Sequence, residues 1–171
     1  GKRVLITGAA GSIGSEIARQ VVQFKPELLV LVDQAESPLH DIEREIKLSN
    51  ATTRVVSFLA DITEKDRVDY AFNEFRPHMV YHAAAYKHVP MMESNPSEAV
   101  NCNILGTKLL ADTAVKYDVS KFVMISTDKA VNPTNVMGCS KRIAEIYVQS
   151  LNNHLQAGNL GATAFVTTRF G

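Results

Sequence analysis

Thr7-Gly8-Ala9-Ala10-Gly11-Ser12-Ile13-Gly14-Ser15-Glu16 is the stretch that decides the fold. It joins a short apolar run, Arg3 to Thr7, to a longer segment of helical period, Ser12 to Phe24. Gly8 and Gly11 let the backbone bend tightly and approach a pyrophosphate without Cβ collision, and Gly14 lets helix and strand pack closely. The start of the helix offers free N–H groups to an anion. Gly8, Ala10, Gly11, Ser12, Ile13 and Gly14 are therefore the candidate phosphate cradle. The G-x-x-G-x-x-G spacing departs from the usual G-x-G-x-x-G. With strand, turn, helix and next strand in order, nucleotide binding is favoured over a glycine-rich connector.

The same alternation continues outward from this turn. Apolar runs at Leu28 to Asp33, Arg54 to Leu59, Met79 to His82, Lys121 to Ser126 and Thr163 to Thr168 are separated by helical stretches at Pro38 to Ser49, Lys65 to Phe75, Pro96 to Tyr117 and Asn135 to Gln156. Continuous Val/Ile/Leu runs mark strands buried on both faces, so the expectation is an α/β, doubly wound parallel sheet of the Rossmann type. Ligands of such sheets bind at the carboxyl ends of the strands, which singles out the residue after each run.

Asp33 ends the second run, with Gln34 beside it, about twenty residues beyond the glycines. A carboxylate there accepts hydrogen bonds from ribose hydroxyls and repels a 2′-phosphate, which points to NAD over NADP. A cap on the following turn is the plainer alternative. Asp61 and Ile62 are placed to meet an adenine edge, with a helix cap as the competing reading. After His82 come Ala83, Ala84 and Ala85, small enough to let a dinucleotide lie against the backbone.

The fifth run leads into Ser126-Thr127-Asp128-Lys129-Ala130-Val131-Asn132-Pro133, then Met137 and Lys141 four apart at the start of a helix. Hydroxyl, carboxylate and ammonium groups thus gather where such a sheet holds substrate against cofactor. A solvated ion pair at Asp128-Lys129 and an exposed helix lysine at Lys141 are the plain alternatives.

Together with Thr7 to Gly14 and Tyr81-His82-Ala83-Ala84-Ala85-Tyr86-Lys87-His88-Val89-Pro90, this segment resembles the polysaccharide-biosynthesis branch of the extended short-chain dehydrogenases/reductases. That branch contains the UDP-N-acetylglucosamine 4,6-dehydratases. The resemblance implies NAD as cofactor, a UDP-sugar as substrate and a homo-oligomer when intact. It implies a reaction in which hydride leaves sugar C4, the C5 proton and the C6 hydroxyl depart, and hydride returns to C6. Lys129 would then be the base toward C5, Asp128 the acid at the C6 hydroxyl, Thr127 the hydroxyl partner at C4, and Lys141 the residue that binds the nicotinamide ribose. Lys87 and His88 would touch the sugar or its diphosphate, and Asn103 resembles an Asn that orders its helix near the site. Most of the superfamily has a proton-accepting Tyr four residues before the lysine; here that position is Met137, whose thioether transfers no proton. Larger, membrane-anchored members of the branch resemble this chain in carrying Met there.

Composition bounds the rest. Zero net charge over 171 residues gives no global field toward nucleic acid or an anionic membrane. Cys102 and Cys139 lack metal-ligand spacing, so no metal site is expected and a reduced, cytoplasmic setting fits. The longest apolar run, Leu28 to Val32, is far short of the roughly 20 residues that span a bilayer, so no membrane contact by the chain itself is expected. Both ends look like cuts through a longer protein, one NAD-binding domain whose C-terminal substrate-binding part is absent and whose full length resembles proteins anchored to the inner membrane. An NAD-dependent nucleotide-sugar 4-epimerase and an NAD-binding module without activity are the competing functional readings; Met137 counts against the first.

Overall fold

Arg3–Thr7 forms β1, whose side chains feed two cores alternately. Leu5 joins an apolar cluster with Leu28, Val30, Phe58, Val80, Phe122 and Met124, while Val4 and Ile6 join another with Leu29, Leu31 and Val55. A strand apolar at every position is what two covered faces require. The computed structural model describes residues 1–49, 52–158 and 161–170.

After β1 come α1 (Ser12–Gln23), β2 (Leu28–Asp33), α2 (Glu36–Ser49), β3 (Arg54–Leu59), α3 (Lys65–Phe75) and β4 (Met79–His82). There follow α4 (Val89–Ser94), α5 (Pro96–Glu98), a π-helical segment (Ala99–Gly106), α6 (Thr107–Lys116), β5 (Lys121–Thr127), a 3₁₀ turn (Asp128–Ala130), α7 (Val136–Gly158) and β6 (Ala164–Phe170). All strands are parallel, in the order β3-β2-β1-β4-β5-β6. Helices α1 and α2 seal one face through Ala18, Val22, Leu39, Ile42 and Ile46; α3, α6 and α7 seal the other through Phe72, Leu110, Ala144 and Val148. The doubly wound Rossmann sheet expected from the alternation is the fold observed.

Chain order reverses beside β1, which has β2 on one side and β4 on the other. A crevice opens at such a switch point because the connections leave toward opposite faces. Its two lips are the glycine turn after β1 and the alanine strip after β4.

The expected single helix from Pro96 to Tyr117 is three segments, and its middle is π-helical. Tertiary bonds anchor this middle: Asn103, fully buried, accepts from the Tyr86 backbone N–H through Oδ1 and donates to the Tyr86 carbonyl through Nδ2. Wide turns of this kind concentrate at functional sites. Helix α4 was not anticipated either; Pro90 sits in its first turn, where a missing N–H is harmless. Among the described residues, no helix is long and apolar enough to cross a membrane.

Candidate active site

Gly8 turns at φ +68°, a left-handed conformation open to glycine at little cost. A Cβ there would stand 2.5 Å from the Ala84 nitrogen, and one at Gly14 would stand 2.0 Å from the Gly8 carbonyl oxygen. The first contact sets the glycine turn directly against the strip after β4; the second sets α1 against the turn. Gly11 N–H bonds to the Gly8 carbonyl at 3.0 Å, and Gly11 caps α1 with no side-chain bond. No acidic side chain sits in the first turn of α1, so its N–H groups face an anion without competition.

Asp33 completes this lip. Its Oδ2 accepts from Ala10 N–H at 3.0 Å and its Oδ1 from Ala35 N–H at 3.0 Å, so one carboxylate braces the glycine turn and caps the turn after β2. Asp61 accepts from both the N–H and the hydroxyl of Thr63 at 2.8 Å, closing a turn before α3, whose N-cap position is Glu64.

These groups line a cavity of about 510 Å³. Of the expected cofactor residues, Gly8, Gly11, Asp33, Gln34, Asp61, Ile62, Ala83, Ala84 and Ala85 are on its wall. Ala10 contributes its N–H to Asp33, and Gly14 packs the helix. Ser12 is exposed, and Ile13 is exposed beside it at the start of α1. A closely packed glycine cradle, a carboxylate at the end of β2 and a cavity of this volume at the switch point fit the phosphates, ribose and adenine of a dinucleotide. Tyr86, Glu98, Asn101, Cys102 and Leu105 also line the cavity. Sequence reasoning missed them because four lie on or beside the π-helical segment, where the ordinary helical period no longer tells which side chain faces the cleft. Burial pushes the Cys102 thiol up to about 11, so it stays protonated.

A smaller hollow of about 240 Å³ adjoins the cavity, sharing Tyr86 and Glu98 with it. Lys87 and His88 line this hollow as expected residues, together with Met91 and Met92. Met92 is buried and Met91 is 60% exposed, so the two neighbours divide between packing and the surface.

At the end of β5, Thr127 donates its hydroxyl hydrogen to Asp128 at 2.9 Å, and Lys129 Nζ donates to the same carboxylate oxygen at 3.2 Å. The Thr127 hydroxyl and the Lys129 ammonium hold the Asp128 carboxyl below its ordinary range. Both charged side chains are more than half exposed, and neither lines the cavity. As it stands the couple has the geometry of a surface ion pair beside the cleft. Ser126 is buried, which leaves Thr127 as the accessible hydroxyl.

Three of the expected site residues are buried. Lys141 is 5% exposed and its Nζ donates to the Ile125 carbonyl at 2.8 Å, so it is not on the cavity wall. Burial lowers its pKa to about 8, which disposes of an ordinary exposed lysine as well. Met137, 2% exposed, packs with Met92 and Ala99, and it does so because α4 and the π-helical segment close over the start of α7. Asn103 has no surface for a sugar: its amide is spent on Tyr86 and on the Ser140 hydroxyl at 2.9 Å, so it ties the helix to the strip after β4.

Known proteins resemble this chain in sequence and fold. The capsular polysaccharide biosynthesis protein CapD of Staphylococcus aureus is 52% identical over 171 residues, which are 99% of this chain and 28% of that protein. A UDP-N-acetylglucosamine 4,6-dehydratase (inverting) of Campylobacter jejuni is 34% identical over all of this chain and 49% of its own length. Among solved structures, the UDP-glucose 4-epimerase of Thermus thermophilus in complex with NAD superposes with a TM-score of 0.78 at 28% identity, over 99% of this chain and 55% of that one. The chain thus spans about half the length, or less, of the relatives it matches. With the family model for polysaccharide biosynthesis proteins matching residues 4–171, this chain belongs to that family.

Proposed function

We propose that this chain is the NAD-binding domain of an enzyme that modifies a UDP-sugar for surface polysaccharide, and that the reaction is 4,6-dehydration of UDP-N-acetylglucosamine. The observation that carries the reading is the cavity itself, with Asp33 bonded to the glycine cradle and the Lys87–His88 hollow continuing from it. Bound there, NAD supplies a reversible hydride acceptor. Asp33 selects NAD because a 2′-phosphate would meet its carboxylate. The NAD complex of the epimerase neighbour and the dehydratase relative support cofactor and substrate class.

Dehydration is favoured over epimerisation by Met137, which puts a thioether in an apolar cluster where a proton-transferring phenol would be needed. Proton work then falls on the carboxyl end of β5. Lys129 takes the C5 proton, made acidic by a ketone at C4, and Asp128 delivers a proton to the departing C6 hydroxyl. Thr127 turns its hydroxyl from Asp128 to the C4 oxygen, which also frees Asp128 from a bond that keeps it ionised. Lys141 supplies positive potential from below through its buried ammonium.

The test uses the full-length enzyme with UDP-N-acetylglucosamine in deuterated water, followed by proton NMR. Lys129→Ala is expected to abolish deuterium incorporation at C5 while NAD remains bound. Persistent exchange removes Lys129 as the base, and a 4-epimerised product without loss of water replaces the dehydratase reading by the epimerase one.

A further inference from the structure

One buried titratable group has no part in the scheme above. His82 is fully buried at the end of β4, one residue before the alanine strip. Its Nδ1 lies 2.8 Å from the Thr7 hydroxyl, and its Nε2 lies 2.8 Å from the Thr107 hydroxyl. Both threonines are likewise fully buried. The three side chains therefore form one sealed hydrogen-bonded chain across β1, β4 and α6.

Each member stands next to a wall of the cavity. Thr7 precedes Gly8, His82 precedes Ala83, and Thr107 follows the π-helical segment that contributes Cys102 and Leu105. Thr7 and His82 are register partners in the sheet, and Ala83 N–H bonds to the Thr7 carbonyl at 3.0 Å. The sheet thus fixes two walls against each other. It does not fix the helical wall, which Asn103 ties to Tyr86 beyond the alanine strip and the imidazole ties to the ends of β1 and β4.

Histidine suits the task because a neutral imidazole donates at one nitrogen and accepts at the other, so it bridges two hydroxyls about a ring's width apart. Burial, reinforced by the Lys141 ammonium, lowers its pKa to about 3, so the ring is neutral at any physiological pH. The ring is also wedged by Phe122, 5.8 Å away between centroids. Three buried polar groups in place of apolar ones cost stability unless all are satisfied, and here each has a partner.

We propose that His82 is a positioning residue for the dinucleotide cleft: bonded at both nitrogens, it sets the spacing between the glycine turn and the helical wall formed by Ala99–Gly106. This rests on the reading of the cavity as an NAD site.

The test compares His82→Phe, His82→Asn and His82→Gln with the parent chain, using calorimetric titration with NAD well below each melting temperature and melting curves without NAD. Phe keeps the packing and cuts both bonds; Asn can restore the Thr7 arm and Gln the Thr107 arm. His82→Phe is expected to bind NAD about tenfold more weakly, the factor that a buried hydrogen bond carries. Asn and Gln are expected to fall between Phe and the parent. Variants that melt lower yet bind NAD as the parent does overturn the proposal, since His82 then serves stability alone. If His82→Phe does not fold, Thr107→Val cuts the helical arm with a side chain of the same shape, and unchanged NAD affinity in Thr107→Val overturns it equally. A parent chain that fails to bind NAD overturns the cavity reading first, and the proposal falls with it.

Discussion

Replacing Lys141 by methionine should stabilise the folded chain at pH 7 and lose that advantage by pH 10. The lysine is 5% exposed, and burial lowers its pKa from 10.5 to about 8. Holding the ammonium there costs roughly 3 kcal/mol relative to water. Methionine is unbranched and flexible enough to fill the same channel. It removes the donor to the Ile125 carbonyl, and an unpaired carbonyl costs about 1–2 kcal/mol. The net gain at pH 7 is then about 1–2 kcal/mol, or roughly 2–8 °C in Tm for a chain of this size. The sign follows from proton binding. Between pH 8 and 10.5 the unfolded lysine keeps a proton that the folded one has released, so parent stability rises with pH over that window. The variant lacks this rise, and its advantage disappears as the parent lysine becomes neutral. Melts of both proteins by circular dichroism at pH 7 and pH 10 read the difference, and surface titrations cancel in it. A gap between the two that does not change with pH would refute the buried cation.

Two further substitutions test the cofactor lip and the apolar cluster. Asp33→Ser removes the acceptor for Ala10 N–H and the charge that repels a 2′-phosphate; NAD binding should weaken about tenfold while the NAD-to-NADP affinity ratio falls, and a titration giving an unchanged ratio would count against Asp33 as the selector. Met137→Ala should cost about 2–5 kcal/mol in urea melts because the site is 2% exposed, whereas Met137→Leu should stay within about 1.5 kcal/mol and retain dehydration in the full-length enzyme. Loss of activity in a stable Met137→Leu would mean that the thioether does more than pack.

The strands, their parallel order and the glycine cradle were legible because each depends on local pattern. Leu28 to Val32 is apolar at successive positions and so reads as a strand covered twice, and Gly11 and Gly14 meet atoms of their own turn, whereas the contact of Gly8 with Ala84 is long-range and only its glycine spacing was visible. What the sequence concealed depends on contacts between distant segments. Pro96 to Tyr117 has a helical composition that gives no sign of the π-helical middle, where Asn103 bonds to Tyr86, seventeen residues earlier. Asn101, Cys102 and Leu105 of this segment line the cavity, a placement that ordinary helical periodicity does not forecast. Lys141 illustrates the same limit: its position in the motif was visible, but its burial comes from packing among β5, α7 and the segment before α6.

The Asp128–Lys129 couple carries a requirement of its own. For the proposed chemistry Lys129 must be neutral and Asp128 protonated, whereas at rest the two form an ion pair at 3.2 Å with Asp128 held ionised. Passing the proton from Lys129 to Asp128 would create the working base and acid together. In water the ion pair is the stable form, since both charges are well solvated at more than half exposure. Excluding water reverses the balance, because the cost of charge rises steeply as the local dielectric falls. The couple therefore works only under a cover. On this argument the 171-residue chain alone should bind NAD yet show no deuterium exchange at C5 of UDP-N-acetylglucosamine, while the full-length enzyme shows it. Equal exchange rates in the two would mean that the proton transfer needs no enclosure, and the roles given to Asp128 and Lys129 would have to be reassigned.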